Sequence, residues 1–248
     1  MSQSIPFPLN WFKQTKLGQQ ITKAKVIARN KKDLGTSASS LAMLYAYDPA
    51  AIDPDGFIKE VHEDYVNSVS TDDKAVSLEL AYLTWFVLNT IKPTLVVDLG
   101  SGFSSFLFRL YQSRRAAAGE NCRVFSCDDN EYWLECTARF LQSRNLSTSG
   151  LLLWNRFLEE HGDERPDLIL HDLGYMPVRI KTLPQVLSLC SNQTVAIVDD
   201  IHKMQMRQVV LNQIRKRGLR GYDLTHLTFD KFGRYAWILT APEYNNKY

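Results

Sequence analysis

Apolar residues in this chain follow two spacings, which alternate in a regular order from about residue 75 onward. Short apolar runs typical of buried strands come first, and most lead into a segment with apolar residues at helical spacing. The chain closes with two strand-like runs joined by Thr228–Arg234, with no helical pattern between them. This order predicts an α/β fold with a mostly parallel sheet, helices on both faces and an antiparallel hairpin at one edge. The predicted strands are Leu95–Val97, Arg123–Cys127, Leu151–Trp154, Asp167–Leu170, Thr194–Val198, Tyr222–Leu227 and Tyr235–Leu239, and the predicted helices are Val76–Ile91, Ser104–Ala118, Glu131–Arg144, Val178–Leu189 and Lys203–Lys216.

The front of the chain differs from the rest in its charge. Residues 1–33 carry seven basic side chains against the single acid Asp33, whereas residues 47–74 carry eight acids against two lysines. We therefore expect residues 1–74 to form a helical extension or lid, packed on a domain that spans residues 75–248. Its basic helix is interpreted either as a solvated cover of the core or as a contact for a membrane surface or an acidic partner. Its apolar face would come from Trp11, Phe12, Leu17, Ile21 and Val26.

The composition is typical of one intracellular α/β enzyme domain. The chain has 248 residues, of which 45% are hydrophobic, and a net charge of +2 that is too small to indicate a nucleic-acid partner. Met1–Trp11 lacks the basic and apolar pattern of a secretory signal, and the apolar stretch Leu78–Val97 is interrupted by charges and a proline, so no transmembrane segment is expected. A cytoplasmic location follows as the expectation. Four cysteines without paired metal spacing are expected to pack in the core: Cys122, Cys127, Cys136 and Cys190.

A strand, a glycine turn and a helix start follow one another in the sequence Thr-Leu-Val-Val-Asp-Leu-Gly-Ser-Gly-Phe-Ser-Ser from residue 94. The apolar run ends in Asp98 and passes directly into a turn with Gly100 and Gly102, while Ser104 or Ser105 is placed to cap the helix. Such a turn brings backbone N–H groups close to a ligand, since a Cβ would block the approach. An acid beside the turn disfavours a pyrophosphate and favours a cationic or amine-bearing ligand.

The sequence Asp98-Leu-Gly-Ser-Gly102 resembles motif I of the class I S-adenosylmethionine (SAM)-dependent methyltransferases, and the element order over residues 75–240 is similar to their fold. The resemblance implies a Rossmann-like seven-stranded sheet whose last strand is antiparallel, with SAM at the carboxyl ends of the strands. It implies that Asp128 binds the ribose hydroxyls. The adjacent Asp129 is the alternative ribose acceptor. A further alternative is that one of the two acids only caps the helix that begins near Glu131. The implied cofactor-binding residues are Asp98, Gly100, Ser101, Gly102, Phe103, Ser104, Asp128, Asp129 and Asp172.

Three further acids follow predicted strands four and five. Asp172, Asp199 and Asp200 would meet at one edge of the sheet, and such a cluster requires protons, cations or a metal to compensate it. Metal-dependent O-methyltransferases of the catechol type have a similar constellation, which implies that these three acids bind Mg²⁺ and that the metal activates a substrate hydroxyl. The alternative is that Asp199 or Asp200 caps the helix near Lys203, while Asp172 contacts only cofactor or solvent.

Histidine is the first candidate for the general base. His202 follows the acid pair, and a histidine can act as a general base near neutral pH, so we assign it and Asp172 to the catalytic site. His171 ends a buried strand and is expected to be a satisfied core histidine. Catechol-type enzymes usually have a lysine soon after the fourth-strand acid, but Leu173-Gly-Tyr-Met176 stands here, which argues against catechol itself. A hydroxyl of another small molecule is the expected acceptor, and a homodimer is an expected assembly.

Three other functions compete with this interpretation. A nicotinamide-dependent oxidoreductase would need a third glycine where Ser105 stands. A methyltransferase-like module without catalysis is a second alternative, which the intact acids and glycines disfavour. A macromolecular substrate is a third, and the basic segment Arg215–Arg220 supports it. The sequence His171-Asp-Leu-Gly174 lacks the Asn/Asp-Pro-Pro-Tyr pattern of enzymes that methylate amino groups, so a hydroxyl target is favoured.

Overall fold

A computed structural model describes residues 15–35 and 41–244 of the chain. The predicted apolar residues Trp11 and Phe12 lie outside the described residues. Within them, the predicted parallel sheet with helices on both faces is confirmed.

The sheet has seven strands in the order β3-β2-β1-β4-β5-β7-β6. All neighbouring pairs from β3 to β5 are parallel, and β7 runs antiparallel to both β5 and β6. The predicted antiparallel pair at one edge is therefore confirmed. The strands are β1 (Leu95–Leu99), β2 (Arg123–Asp128), β3 (Leu151–Leu153), β4 (Leu168–His171), β5 (Val195–Val198), β6 (Arg220–Asp223) and β7 (Trp237–Thr240).

Helices precede the sheet and connect its strands. One 3₁₀ turn, Ala42–Ala46, lies among the helices of the N-terminal segment. The α-helices are α1 (Lys16–Leu34), α2 (Pro49–Ile52), α3 (Phe57–Ser68), α4 (Leu78–Ile91), α5 (Phe103–Ala117), α6 (Glu131–Gln142), α7 (Trp154–His161), α8 (Met176–Leu189), α9 (Met204–Arg217) and α10 (Thr225–Thr228).

Two hydrophobic clusters cover the two faces of the sheet. Alternate strand residues point to opposite faces, so Leu168 and Leu170 of β4 join one cluster while Ile169 joins the other. Helices α3, α4 and α5 cover the first face, and α7, α8 and α9 cover the second. Three of the four cysteines are buried and all four are free thiols, so the predicted packing role is confirmed.

Two details of the element prediction are wrong. Helix α7 lies between β3 and β4, where no helix was predicted, because its apolar run continues directly from the strand at Trp154. The short helix α10 interrupts the segment predicted as the strand Tyr222–Leu227. The carboxylate of Asp223 accepts hydrogen bonds from the backbone N–H and the hydroxyl of Thr225, and this local turn ends β6.

Helix α1 is tied to the sheet edge through a polar network. The guanidinium of Arg207 on α9 donates to the side-chain oxygen of Asn30 at 2.5 Å and to Asp33 at 3.0 Å. Asn30 in turn donates to Asp223 on β6 at 2.8 Å. Leu17 and Ile21 of the predicted apolar face stay exposed, by 58% and 38%. The two interpretations of the basic helix and the domain boundary at residue 74 remain predictions.

None of the helices within residues 15–35 and 41–244 combines the length and apolar character needed to cross a membrane.

Candidate functional site

The glycine turn after β1 lies at the carboxyl edge of the sheet. Gly100 has a φ of +99°, and an added Cβ would lie 2.7 Å from the carbonyl carbon of Asp172 and closer still to its oxygen. The turn is held on both sides, since Gly100 donates its N–H to the carbonyl of Cys127 and Asp172 donates its own to Leu99. Only glycine fits this position, in conformation and in space.

Asp98 anchors the start of α5 from below the turn. Its carboxylate is fully buried and accepts hydrogen bonds from the hydroxyls of Ser104 at 2.8 Å and Ser105 at 2.6 Å. Ser105 also accepts from the N–H of Gly102, so the predicted capping role belongs to Ser105. Burial raises the pKa of Asp98 to about 6, and the serine hydroxyls oppose the shift.

Asp128 lies at the end of β2, beside the turn. One carboxylate oxygen accepts from the N–H and hydroxyl of Ser101 at 2.8 and 3.0 Å, and the other accepts from the N–H of Asn130. Burial raises the pKa of Asp128 to about 6. The predicted alternative of an aspartate cap is wrong, because the side chain of Asn130 caps α6. Asp129 is exposed and lies against Gly174 across the cleft.

The N-terminal segment closes one side of the cleft above the turn. Tyr65 on α3 brings its hydroxyl so close to Gly102 that an added Cβ there would lie 2.9 Å from it. His62, one turn earlier, packs its ring edge-on against Phe103. The guanidinium of Arg234 then donates to three backbone carbonyls of the following loop, at 2.9 to 3.1 Å: those of Asp72, Asp73 and Ala75.

The three acids after β4 and β5 come together as predicted, but an arginine lies among them. Nη1 of Arg179, on α8, is 2.6 Å from an oxygen of Asp172 and 2.6 Å from an oxygen of Asp200. Nη2 of the same guanidinium donates to the backbone carbonyls of Asp172 and Gly174. The predicted capping of α9 by Asp199 or Asp200 is wrong, since the helix begins after Lys203 without a side-chain cap.

The electrostatics of this cluster reflect burial and repulsion. Burial raises the pKa of Asp172 to about 6, with Arg179 opposing the shift. Burial, followed by the neighbouring carboxylates of Asp172 and Asp200, raises the pKa of Asp199 to about 8. Burial works against the charged form of Arg179, but the adjacent carboxylates outweigh it and raise the pKa of that guanidinium. The arginine therefore stays charged and supplies the compensation that the cluster requires.

A divalent metal does not fit the predicted ligands in this arrangement. Mg²⁺ binds carboxylate oxygens at about 2.0–2.1 Å, and the position between Asp172 and Asp200 is taken by Nη1 of Arg179. A metal bridging these oxygens would lie against a fixed positive charge. Within the described part of the chain, no group of three or more His, Cys, Asp or Glu side chains is arranged to hold a metal ion.

The two histidines next to the acids differ as predicted in their surroundings. His171 is fully buried as predicted, and its Nε2 lies 3.0 Å from the carbonyl of Arg179, but its Nδ1 has no hydrogen-bond partner, so the prediction of a satisfied histidine holds for one ring nitrogen only. Burial lowers the pKa of His171 to about 3. His202 lines the cleft, and its Nδ1 is 3.3 Å from a carboxylate oxygen of Asp200, without the alignment of a hydrogen bond. Burial lowers the pKa of His202, so its neutral ring can accept a proton.

These groups surround one cavity of about 440 Å³ at the carboxyl edge of the sheet. The volume is in the range of small-molecule sites. All but one of the residues predicted for cofactor, metal or catalysis line this cavity, and the exception, Asp98, lies beneath it. The lining residues are Gly100, Ser101, Gly102, Phe103, Ser104, Asp128, Asp129, Asp172, Asp199, Asp200 and His202. Five further residues line the cavity that the sequence alone does not single out: Tyr65, Trp133, Tyr175, Arg179 and Arg234. Only the tertiary fold brings these side chains to the sheet edge.

No protein-family model matches this chain, and no curated protein sequence matches it. Solved structures do match. The O-methyltransferase TomG from Streptomyces achromogenes, in complex with SAM, is 14% identical with a TM-score of 0.53, and the match covers 75% of this chain and 88% of TomG. An O-methyltransferase from Bacillus cereus, in complex with S-adenosylhomocysteine (SAH), is 13% identical with a TM-score of 0.51 over 75% and 90% of the two chains.

A methyltransferase from Podospora anserina, bound to SAH, matches over nearly the full length. It is 13% identical with a TM-score of 0.53, and the match covers 96% of this chain and 98% of that one. The described N-terminal helices therefore fall largely within the matched region. At these identities the likeness establishes the architecture, and it agrees with the strand order and the single antiparallel strand described above. The chain has the fold of the class I methyltransferases.

Proposed function

We propose that this protein is a SAM-dependent methyltransferase that transfers a methyl group to a hydroxyl of a small molecule. The observation that carries the proposal is the glycine turn at the floor of the cavity, with the buried Asp98 beneath it and the buried Asp128 beside it. This edge of a parallel sheet is where the fold places its ligand. The structural neighbours that were crystallised with SAM or SAH support the same ligand.

The cofactor would lie along the turn, with its ends set by the residues on either side. Asp128 would accept from the ribose hydroxyls with its remaining lone pairs. The half-buried indole of Trp133 at the start of α6 offers a flat surface for the adenine ring. The backbone between Gly100 and Phe103 would then face the amino-acid end. SAM and SAH both present these groups, so either is a suitable probe.

The acceptor would enter from the side lined by Tyr175, His202 and the loop that Arg234 holds. In the transfer step, SAM would supply an electrophilic methyl group. A lone pair of the acceptor oxygen would form the new carbon–oxygen bond while the carbon–sulfur bond breaks, and the electron pair of that bond would stay on the sulfur of SAH. The hydroxyl proton would pass to a protein base. His202 is the proposed base. Asp172, fixed by Arg179, would position the acceptor hydroxyl.

Turnover tests this function directly. Incubation of the protein with SAM and a panel of phenols, sugars and other hydroxyl compounds is expected to release SAH with at least one class. His202→Gln is expected to lower kcat about 100-fold with little change in the KM for SAM, because it removes the base but not a cofactor contact. Release of SAH only with amine acceptors or nucleic acid would contradict the proposal. SAM binding without any turnover would favour the alternative of an inactive binding module.

The affinity for SAH is expected to depend on pH through Asp128. Its pKa in the folded protein is about 6, so the carboxylate is charged above that pH and protonated below it. Protonation turns one acceptor oxygen into a donor, so SAH should bind about tenfold more weakly at pH 5 than at pH 7. Calorimetric titration at several pH values measures this. Asp128→Asn is the control, and it should bind SAH weakly at both pH values. If the SAH affinity of this variant changes with pH as much as that of the parent does, another group causes the pH dependence.

A cytoplasmic location and a homodimer remain predictions from the sequence. The predicted Mg²⁺ has no role in the proposed mechanism, because Arg179 occupies the position between Asp172 and Asp200 that the metal ion would need.

A further inference from the structure

The cluster of Asp172, Asp199 and Asp200 requires a positive charge. The first follows β4, the other two follow β5, and the backbone N–H of Asp199 donates to the carbonyl of His171 at 3.1 Å, which fixes the two strand ends side by side. Asp199 is only 6% exposed. Carboxylates that lie close together with little access to solvent destabilise the fold unless a cation compensates their charge.

Arg179 supplies that cation with fixed geometry. Its Nη1 bridges oxygens of Asp172 and Asp200 at 2.6 Å each, and its Nη2 is held by the carbonyls of Asp172 and Gly174 at 2.9 and 3.1 Å. The side chain is 8% exposed, and the residue sits in the first turn of α8. Four contacts from one guanidinium leave it little freedom to swing out of the cluster.

The other cations near the cavity are differently placed. The guanidinium of Arg234 donates to the carboxylate of Asp230 and to backbone carbonyls of the loop around Asp73. Lys74 and Lys203 line the cavity, but neither forms an ion pair with the three acids at 4 Å or less. Among the lysines and arginines of residues 15–35 and 41–244, Arg179 is thus the one in direct contact with the carboxylate oxygens that a bridging metal would use.

We propose that Arg179 is the resident cation of this site and takes the place of a divalent metal, so that cofactor binding and methyl transfer need no metal ion. Its guanidinium holds Asp172 and Asp200 in place and gives the acceptor side of the cavity a fixed positive charge. The consequence for catalysis rests on the proposed methyltransferase function. The occupancy of the cluster by arginine rests on the described contacts alone.

Binding of Mn²⁺, followed by electron paramagnetic resonance, tests the inference without any assay of activity. The parent protein is expected to bind no Mn²⁺ that depends on Asp199. Arg179→Met leaves Asp172 and Asp200 without their cation and is expected to gain one Mn²⁺ site that the parent lacks. Mn²⁺ should then raise the Tm of Arg179→Met but not that of the parent. The double variant with Asp199→Asn should lose the gained site.

Two control variants narrow the interpretation. Arg179→Lys keeps a positive charge in the cluster and should gain no Mn²⁺ site, whereas Arg156→Met removes an exposed arginine paired with Glu160 on α7 and should behave as the parent. The inference is overturned if the parent itself binds one Mn²⁺ that Asp199→Asn removes, and this outcome is decisive even if Arg179→Met does not fold.

A separate titration with SAH distinguishes this inference from the proposed function. EDTA should leave the SAH affinity of the parent unchanged within about twofold, and a loss of SAH binding in EDTA that Mg²⁺ restores would overturn metal independence. If SAH does not bind under any condition, the proposed function fails, but the Mn²⁺ result still decides whether arginine holds the cluster.

Discussion

Gly100→Ala is expected to lower the free energy of unfolding by about 3 kcal/mol or more and to abolish SAH binding. Two effects add at this position. The φ of +99° is unfavourable for any residue with a Cβ, and that Cβ would meet the backbone carbonyl of Asp172, which cannot rotate away as a side chain could. Relief requires β1 and β4 to separate at their carboxyl ends, where the cavity lies. Urea unfolding and calorimetric titration with SAH measure the two effects.

Gly119→Ala is the matched control for this prediction. Gly119 lies just beyond α5 with a φ of +75°, and an added Cβ there meets nothing within 4 Å. The variant carries the conformational strain without the steric clash, so about 1 kcal/mol of lost stability and normal SAH binding are expected. Equal losses in the two variants would show that the contact with Asp172 does not hold the turn closed.

Asp128→Ala is expected to weaken SAH binding at least about 100-fold, which corresponds to about 3 kcal/mol. The substitution removes the proposed ribose acceptor and also the carboxylate that holds the turn through the N–H and hydroxyl of Ser101. Hydrogen bonds to a charged acceptor contribute more to the free energy of binding than hydrogen bonds to a neutral one. Calorimetric titration measures the change, and circular dichroism checks that the variant is folded.

Asp129→Ala tests which of the two adjacent acids, Asp128 or Asp129, accepts from the ribose. The carboxylate of Asp129 is exposed and lies across the cleft against Gly174, whereas the carboxylate that accepts from the glycine turn belongs to Asp128. A loss of no more than about fivefold is expected. If Asp129→Ala weakens SAH binding as much as Asp128→Ala does, the assignment of the ribose acceptor to Asp128 is wrong.

The floor of the site could be predicted from the sequence because each of its residues lies at or just after the end of a predicted strand. Gly100 and Gly102 follow directly from β1, and Asp128 ends β2, so local pattern and strand alternation place them at one edge. The acids after β4 and β5 follow the same logic. The missed helix α7 has a local cause, since its first residue continues the apolar run of β3 without a turn signal.

The neutralising group of the acid cluster could not be predicted in this way. Arg179 is one of many basic residues and sits on the helix after β4, with nothing in its sequence neighbourhood that marks it as buried. The acids alone indicate that a cation is needed, but not which one. Tyr65 and Arg234 are similar cases, because α3 and the loop before β7 meet the cavity only through tertiary packing.

Calorimetric titration of the parent protein with SAH, beside an identical titration with a reduced nicotinamide dinucleotide, tests the central claim most directly. The acid Asp98 beneath the glycine turn and Ser105 in place of a third glycine disfavour a pyrophosphate, whereas Asp128 can accept from the ribose of SAH. Micromolar binding of SAH at one site per chain and no binding of the dinucleotide are expected. Binding of the dinucleotide, or no binding of SAH to the folded protein, would contradict the central claim.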